Sequence, residues 1–207
     1  MTSSEQPVAP RFIVLEGLDG AGTTTQAALL ADALRLRDLR VCLTAEPTSG
    51  PLGRVLRAHV AGELSLDPVT TALAFTADRS DHLTRVVRPA LTAGEWVVCD
   101  RYLLSTLAYQ GAEGVDRQRI LDASAGFEVP DLTVFLDVPE SDLAQRLATR
   151  AAAERYEAPE LAGRLRASYE ESIALLRAEG YVIETIDGTA APPAVLQEVL
   201  GRLDALV

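Results

Sequence analysis

The chain contains several short runs of almost uninterrupted apolar residues, and these runs constrain its fold more than any other feature. They lie at 12–15, 41–43, 96–99, 132–136 and 181–186. Between them, apolar residues recur at helical spacing, and this pattern predicts helices that include 26–37, 68–92, 116–126, 160–180 and 193–206. Strands without in-and-out alternation are buried on both faces, as in parallel sheets covered by helices. We therefore predict an α/β fold in three layers, a five-stranded parallel sheet with helices on both faces.

This architecture also predicts where a ligand binds. Open α/β sheets bind their ligands beyond the carboxyl ends of the strands. The loops after Leu15, Leu43, Cys99 and Leu136 should therefore hold the functional site.

Composition excludes several classes of function. A formal net charge of −11 argues against nucleic-acid binding, which requires basic surface. No apolar run approaches the roughly 18 residues that cross a bilayer, and the start of the chain lacks a secretory pattern. Residues 1–10 are expected to be a flexible tail before one domain at 11–207. Two cysteines in apolar runs predict free thiols and a cytoplasmic protein, and two isolated histidines do not suggest a zinc site.

A glycine-rich segment, Gly17 to Thr24, follows the first strand and opens a helix. It matches the phosphate-binding pattern G-x-x-x-x-G-K-[ST] except that Thr23 stands at the lysine position. Glycines let backbone N–H groups point at phosphate oxygens, and Thr24 is placed to offer its hydroxyl to Mg²⁺. The alternative is a plain glycine-rich turn. The predicted ATP-binding residues are Gly17, Gly20, Ala21, Gly22, Thr23, Thr24 and Thr25.

The missing lysine is part of a wider bias, because all 19 basic side chains of the chain are arginine. In this loop a lysine normally bridges the β- and γ-phosphates, so its loss weakens charge neutralisation during transfer. Either an arginine elsewhere substitutes, or the activity is low or lost. The sequence does not decide whether the absence of lysine is natural or engineered.

The stretch Asp100 to Gly111, read as DRYLLSTLAYQG, resembles the D-R-Y-x-x-S-x-x-A-Y-Q-G segment of thymidylate kinases. Other stretches agree with that family over about 11–206. They are FIVLEGLDGAGTTTQ at 12–26, Glu46-Pro47 with the following Gly-Pro-Leu-Gly, the helix segment FTADRSDH at 75–82, PDLTVFLDVP at 130–139, and Arg155-Tyr156-Glu157. The resemblance implies the three-layer fold of P-loop NTPases with a short lid at about 147–160.

The resemblance also implies roles for individual residues. Asp19 would contact the sugar 3′-hydroxyl of dTMP, Arg101 the acceptor phosphate, and Asp100 the Mg²⁺ shell beside Thr24. Phe75 would stack on thymine and Arg79 would bond it, as a flat pyrimidine requires. Tyr102 would disfavour a 2′-hydroxyl, Gln110 would close over the base, and Glu46 and Pro47 would shape the pocket. Ser105 and Tyr109 complete the predicted substrate-binding set. Core packing of Phe75 and a surface ion pair at Arg79 are the plainer alternatives.

Three departures from the family pattern bear on the mechanism. Besides Thr23, Ala45 stands where the second loop usually has arginine, and Thr48-Ser49 replace a glycine pair. Because Gly20 occupies the position of a helper arginine in some relatives, the helper is expected in the lid. Arg150 and Arg155 are the candidates, with Arg146 one helix turn earlier. The predicted catalytic set consists of Asp19, Arg101, Arg150 and Arg155.

The resulting expectation is a kinase that converts dTMP to dTDP with ATP and Mg²⁺. By resemblance alone it would be a homodimer. Two alternatives stay open at this point: a kinase of another nucleoside or nucleotide on the same scaffold, and a nucleotide-binding protein that has lost catalysis. The choice between dTMP and dUMP also stays open.

Overall fold

A computed structural model describes residue 9 and residues 11–148 and 159–206 of the chain. Its centre is a parallel five-stranded sheet with the order β2-β3-β1-β4-β5. The strands are β1 (Phe12–Gly17), β2 (Val41–Ala45), β3 (Trp96–Asp100), β4 (Leu132–Asp137) and β5 (Ile183–Asp187). The predicted α/β class and the number of strands are confirmed, and the fifth strand begins at Ile183 instead of Tyr181.

The helices of the described residues form two layers. They are α1 (Thr23–Arg35), α2 (Pro51–Val60), α3 (Pro68–His82), α4 (Arg88–Thr92), α5 (Leu103–Ala112), α6 (Arg117–Ala123), α7 (Glu140–Leu147), α8 (Pro159–Ala178) and α9 (Pro192–Asp204). Helix α1 packs with α9, whereas α5 packs with α8, α3 and α6. A π-helical stretch, Leu83–Val87, joins α3 to α4, so the helix predicted over 68–92 is not one regular α-helix.

The strands β1 and β3 form the middle of the core. Every residue of β1 is buried, and β3 is buried up to its last residue, whereas the edge strand β2 is half-buried. None of the described helices is long and apolar enough to span a bilayer.

The sheet order brings the two most informative loops together. Because β1 lies beside β3, Leu15 pairs with Asp100, and the loops that follow both strands leave the sheet side by side. The backbone N–H of Arg101 donates to the Leu15 carbonyl, and that of Glu46 donates to the Asp100 carbonyl. Three predicted site segments thus meet at one edge of the sheet, as expected of an open α/β fold.

Helix α3 carries two predicted base-binding residues, and its start is well defined. Asp67 caps the helix by accepting hydrogen bonds from the N–H groups of Val69 and Thr70. Phe75 and Arg79 are four residues apart on this helix, so they lie on the same face. Both line one cavity at the carboxyl edge of the sheet.

Candidate active site

The phosphate loop has the geometry of an anion-binding turn. Gly20 and Gly22 have φ angles of 87° and 97°, and Gly22 precedes the first turn of α1. A Cβ on Gly17 would lie 2.8 Å from the Ala21 Cβ, so a larger residue would not fit there. Because α1 begins directly after Gly22, the N–H groups of its first turn lie at the end of the loop, and the helix dipole adds partial positive charge there.

Thr23 is buried, with its methyl group toward Gly17, and brings no charge to the loop. The next residue, Thr24, donates its hydroxyl to Asp100 Oδ2 at 2.5 Å. Asp100 Oδ1 is buried and has no hydrogen-bond partner within the described part of the chain. A hydroxyl beside a carboxylate with one free oxygen fits a hydrated Mg²⁺, which prefers few protein oxygens and several water or phosphate oxygens. Residues 11–148 and 163–206 contain no cluster of three acidic, histidine or cysteine side chains that could hold a metal without such additional ligands.

Arg101 occupies the centre of the site in an unusual backbone conformation. Its φ angle is 70°, which costs a non-glycine residue about 1–3 kcal/mol and is typical of functional positions. The guanidinium donates to the Gly17 carbonyl at 2.8 Å, to Ser105 Oγ at 3.1 Å and to Asp19 Oδ1 at 2.6 Å. Burial lowers the pKa of Arg101, but interactions with Tyr109, Asp19 and other neighbouring groups outweigh it and raise the pKa well above its usual value, so the group stays charged.

One cavity of about 400 Å³ gathers most of the predicted site. It is lined by Asp19, Gly20, Gly22, Thr23, Thr24, Thr25, Glu46, Pro47, Phe75, Arg79, Asp100, Arg101, Tyr102, Ser105, Tyr109 and Gln110. Gly17 and Ala21 do not line it, since Gly17 lies behind Arg101 and accepts its hydrogen bond. Residues far apart in the chain are thus brought to one chamber above the phosphate loop.

Arg79 is fully buried and is held by a network of polar groups. It donates through Nε to Glu46 Oε2 at 2.9 Å and through Nη2 to Thr106 Oγ1 at 2.8 Å. Glu46 also lies 2.9 Å from His82 Nδ1. The third nitrogen, Arg79 Nη1, has no partner among the described residues. The plainer alternative of a surface ion pair at Arg79 is therefore wrong, because the pair with Glu46 is buried.

Each of the two arginines lies over the ring of a tyrosine. The Arg79 guanidinium lies 4.8 Å from the centre of the Tyr102 ring, and that of Arg101 lies 5.5 Å from the Tyr109 ring. The hydroxyl of Tyr102 donates to the Glu128 carbonyl at 3.0 Å, outside the cavity lining. Tyr102 thus offers its ring, not its hydroxyl, to the cavity.

Sequence reasoning missed several residues of the site. Arg57 on α2 lines the cavity and donates to the carbonyls of Thr48 and Pro47 at 3.2 and 2.5 Å. Arg57 gave no signal in the sequence, because it lies on α2 outside the recognised motifs. Glu16 was also missed, since a lone carboxylate inside an apolar strand gives no periodic signal.

Of the three arginines predicted to assist from the lid region, only Arg146 lies among the described residues. Arg146 on α7 donates to the carbonyls of Gly20 and Ala21 at 3.3 Å and to that of Gly188 at 2.9 Å, so it contacts the outside of the phosphate loop. Arg150 and Arg155 lie outside the described residues.

Comparisons with known proteins agree on one family. The family model described as thymidylate kinase matches residues 15–197. The chain is 42% identical to the thymidylate kinase of Bordetella petrii over 204 residues, covering 95% of this chain and 96% of the other. It is 37% identical to a probable thymidylate kinase of Pyrobaculum aerophilum over 196 residues, covering 95% and 97%. The crystal structure of thymidylate kinase from Ehrlichia chaffeensis superposes with a TM-score of 0.75 at 27% identity, covering 95% of this chain and all of the other.

Proposed function

The chain belongs to the thymidylate kinase family and phosphorylates dTMP with ATP as the donor, and we propose that both substrates meet in the cavity above the phosphate loop. The observation that carries this proposal is the ion pair between Arg101 and Asp19, which joins the phosphate loop to the segment after β3 inside the cavity. A guanidinium fixed beside a phosphate-binding loop is suited to hold the acceptor phosphate against the donor.

The acceptor nucleotide is held by charge at one end and by its base at the other. Arg101 binds the 5′-phosphate, and the Asp19 carboxylate accepts a hydrogen bond from the 3′-hydroxyl. Phe75 stacks on the thymine ring, and Arg79 Nη1, which lacks a partner within residues 11–148 and 163–206, donates to a base carbonyl. Glu46 keeps Arg79 in place.

The remaining substrate-binding residues complete the walls. Tyr102 forms an apolar wall that disfavours a 2′-hydroxyl, and its hydrogen bond to Glu128 fixes that wall. Pro47, Ser105, Tyr109 and Gln110 line the same cavity and enclose the nucleotide.

The donor binds through the phosphate loop. Backbone N–H groups of 20–24 surround the phosphates of ATP, and Thr25 lies on the first turn of α1 beside them. Thr24 and Asp100 would hold Mg²⁺, directly or through water. When bound, the ion neutralises the phosphate oxygens and orients them for in-line transfer.

Arginines replace the positive charge of the missing lysine. Arg101 and Arg57 line the cavity and Arg146 contacts the phosphate loop, so these three are candidate replacements among the described residues. We propose that Arg150 and Arg155 add further charge from the lid at about 147–160, which excludes water when it closes. The acceptor phosphate ionises near neutral pH, so the reaction needs no strong general base.

Coupled ADP release with ATP, Mg²⁺ and dTMP tests the assignment. Arg101→Ala should lower kcat by about 100- to 1000-fold, the usual loss for a group that stabilises transition-state charge. Arg119→Ala is the matched control, because Arg119 is exposed on α6 and does not line the cavity. Wild-type turnover by Arg101→Ala would contradict the proposed role.

The same assay tests the loop and the acceptor. Turnover should be dTMP-dependent and much lower with dUMP, dCMP or AMP. No turnover by the unaltered chain, together with rescue by Thr23→Lys, would instead indicate a nucleotide-binding relative that has given up the reaction.

We further propose a homodimer that forms through α2 and α3. Leu52 and Val55 on α2 and Val69 and Leu73 on α3 are 40–58% exposed, an unusual concentration of apolar side chains on two packed helices. Sedimentation velocity should show a dimer, and Leu73→Glu should shift it toward the monomer. A monomeric wild-type chain at assay concentration would refute this interface.

Two further expectations concern the whole chain. We propose a cytoplasmic location, since Cys42 and Cys99 are both free thiols, as is usual in a reducing compartment. We also propose that 11–207 is one domain and that 1–10 is a tail, which limited proteolysis would test by removing the first ten residues before it cuts the strands and helices of the domain.

A further inference from the structure

Glu16 is a fully buried carboxylate on the central strand, one residue before the phosphate loop begins. Its Oε1 accepts hydrogen bonds from the backbone N–H of Tyr102 at 2.8 Å and of Ser105 at 3.2 Å. Its Oε2 accepts from Ser105 Oγ at 2.5 Å. Burying a charge without partners is costly, and the three donors around the Glu16 carboxylate offset that cost.

These contacts make Glu16 the cap of α5. The residue before that helix, Tyr102, makes no side-chain capping hydrogen bond. The first N–H groups of a helix need acceptors, and a negative charge there is favourable because of the helix dipole. Glu16 supplies both from β1, so it ties the start of α5 to the central strand.

The same carboxylate influences the position of Arg101 by two routes, one through the backbone and one through side chains. Through the backbone, Arg101 is the single residue between the end of β3 and Tyr102, and its left-handed conformation sets the chain toward Glu16. Through side chains, Ser105 Oγ lies 2.5 Å from Glu16 Oε2 and 3.1 Å from Arg101 Nη1. A shift of Glu16 would therefore move both the backbone and the guanidinium of Arg101.

We propose that Glu16 is a positioning residue for phosphoryl transfer, which in its ionised form fixes Arg101 through Ser105 and the start of α5. The inference rests on the proposed role of Arg101 in holding the acceptor phosphate. Glu16 itself does not line the cavity in which we place the substrates.

The protonation state of Glu16 supports this role. Burial raises its pKa to about 7, against the opposing effects of the Ser105 hydrogen bond and the Arg101 charge. The other titratable groups that interact with it are Tyr169 on α8 and the Cys99 thiol on β3. Protonation at Oε2 would reverse the hydrogen bond with Ser105, so that the Ser105 hydroxyl accepts from Glu16 as well as from Arg101, and it would remove the negative charge that attracts Arg101.

The test is the pH profile of the Glu16→Gln variant. Glutamine keeps the size and the acceptor for the two N–H groups but removes the charge. We expect kcat to fall about 10- to 100-fold, the scale of a small misplacement of a reacting group, while KM for ATP stays unchanged. In the wild type, kcat should fall as the pH decreases through about 7. In the variant, only the titration of the substrate phosphate near pH ~6 should remain.

A matched control and a second variant keep the test decisive. Glu184→Gln changes a half-buried glutamate on β5 away from the cavity and should leave kcat and the pH profile unchanged. Ser105→Ala removes the bridge between Glu16 and Arg101, so its effect on kcat should not add to that of Glu16→Gln. If Glu16→Gln does not fold, Ser105→Ala alone decides, since normal kcat in that variant would overturn the inference.

The outcomes separate this inference from the proposed function. Full activity of Arg101→Ala would refute the role of Arg101 itself. Loss of activity in Arg101→Ala, combined with a wild-type kcat and an unmoved pH midpoint in Glu16→Gln, would refute only the positioning role of Glu16.

Discussion

Burial of Glu16 predicts that the protein loses stability as the pH rises through neutrality. Its pKa is raised from 4.5 to about 7 in the folded state. A raised pKa means that the folded chain binds the proton more tightly than the unfolded chain does. The contribution to stability is therefore complete below pH ~4.5 and is lost as the pH passes about 7. Between pH 5 and pH 8 the loss amounts to about 2.5 kcal/mol, at about 1.4 kcal/mol per pKa unit.

Urea unfolding of the wild type and of Glu16→Gln at pH 5, 6, 7 and 8 measures this effect. Other carboxylates titrate in both proteins, so their contributions cancel in the difference between the two free energies of unfolding. We expect that difference to shift by about 2.5 kcal/mol in favour of the variant from pH 5 to pH 8. Parallel curves would show that folding does not raise the pKa of Glu16 and would refute the reasoning.

Three further predictions concern other parts of the site. Arg79→Met should raise KM for dTMP and, by leaving Glu46 buried without its main partner, should cost about 3–5 kcal/mol in urea unfolding. Gly53→Ala should raise KM for dTMP, because the new Cβ would lie 1.9 Å from the carbonyl oxygen of Thr48 and would displace the loop after β2. Gly201→Ala on α9 is the control: its Cβ would meet nothing within 4 Å, and the substitution should add about 1 kcal/mol of stability. Thr24→Val should raise the Mg²⁺ concentration needed for half-maximal activity about tenfold, a typical loss for an altered metal environment.

These three predictions have separate failure conditions. An unchanged KM in Arg79→Met would remove Arg79 from base recognition. Equal effects of the two glycine substitutions would show that the second loop tolerates a side chain. An unchanged Mg²⁺ requirement in Thr24→Val would assign the metal to other ligands.

Much of the fold follows from local sequence. Apolar runs without alternation predict buried parallel strands, because both faces of β1 and β3 meet helices. Helix α5 was not predicted from hydrophobic periodicity, because it is buried on almost every side and its sequence therefore does not alternate between an apolar and a polar face. Helix α2 escaped because it is short and begins with proline and glycine at its first and third positions.

Candidate site residues could be predicted from the sequence where a single segment of the chain carries a whole motif. The phosphate loop and the Asp100–Gly111 segment are of this kind, and the cavity brings their residues together. Contacts between distant segments could not be predicted in this way. Glu16 meets Ser105, and Glu46 meets Arg79 and His82, only because the sheet order and the packing of α3 and α5 place them together.

The order of the strands has a consequence for how the chain folds. The central strand β1 is made first, yet its neighbours β3 and β4 follow only at 96–100 and 132–137. Contacts of such large sequence separation slow folding, because a long loop must lose entropy on closing before the contacts it brings together can stabilise the chain. Until those strands are made, β1 has no partner in the sheet and the Glu16 carboxylate stays hydrated. In a chain truncated at residue 90, which lacks both β3 and β4, we expect the amides of Phe12–Gly17 to exchange freely with solvent, and protection of those amides would show that β1 folds without either neighbour.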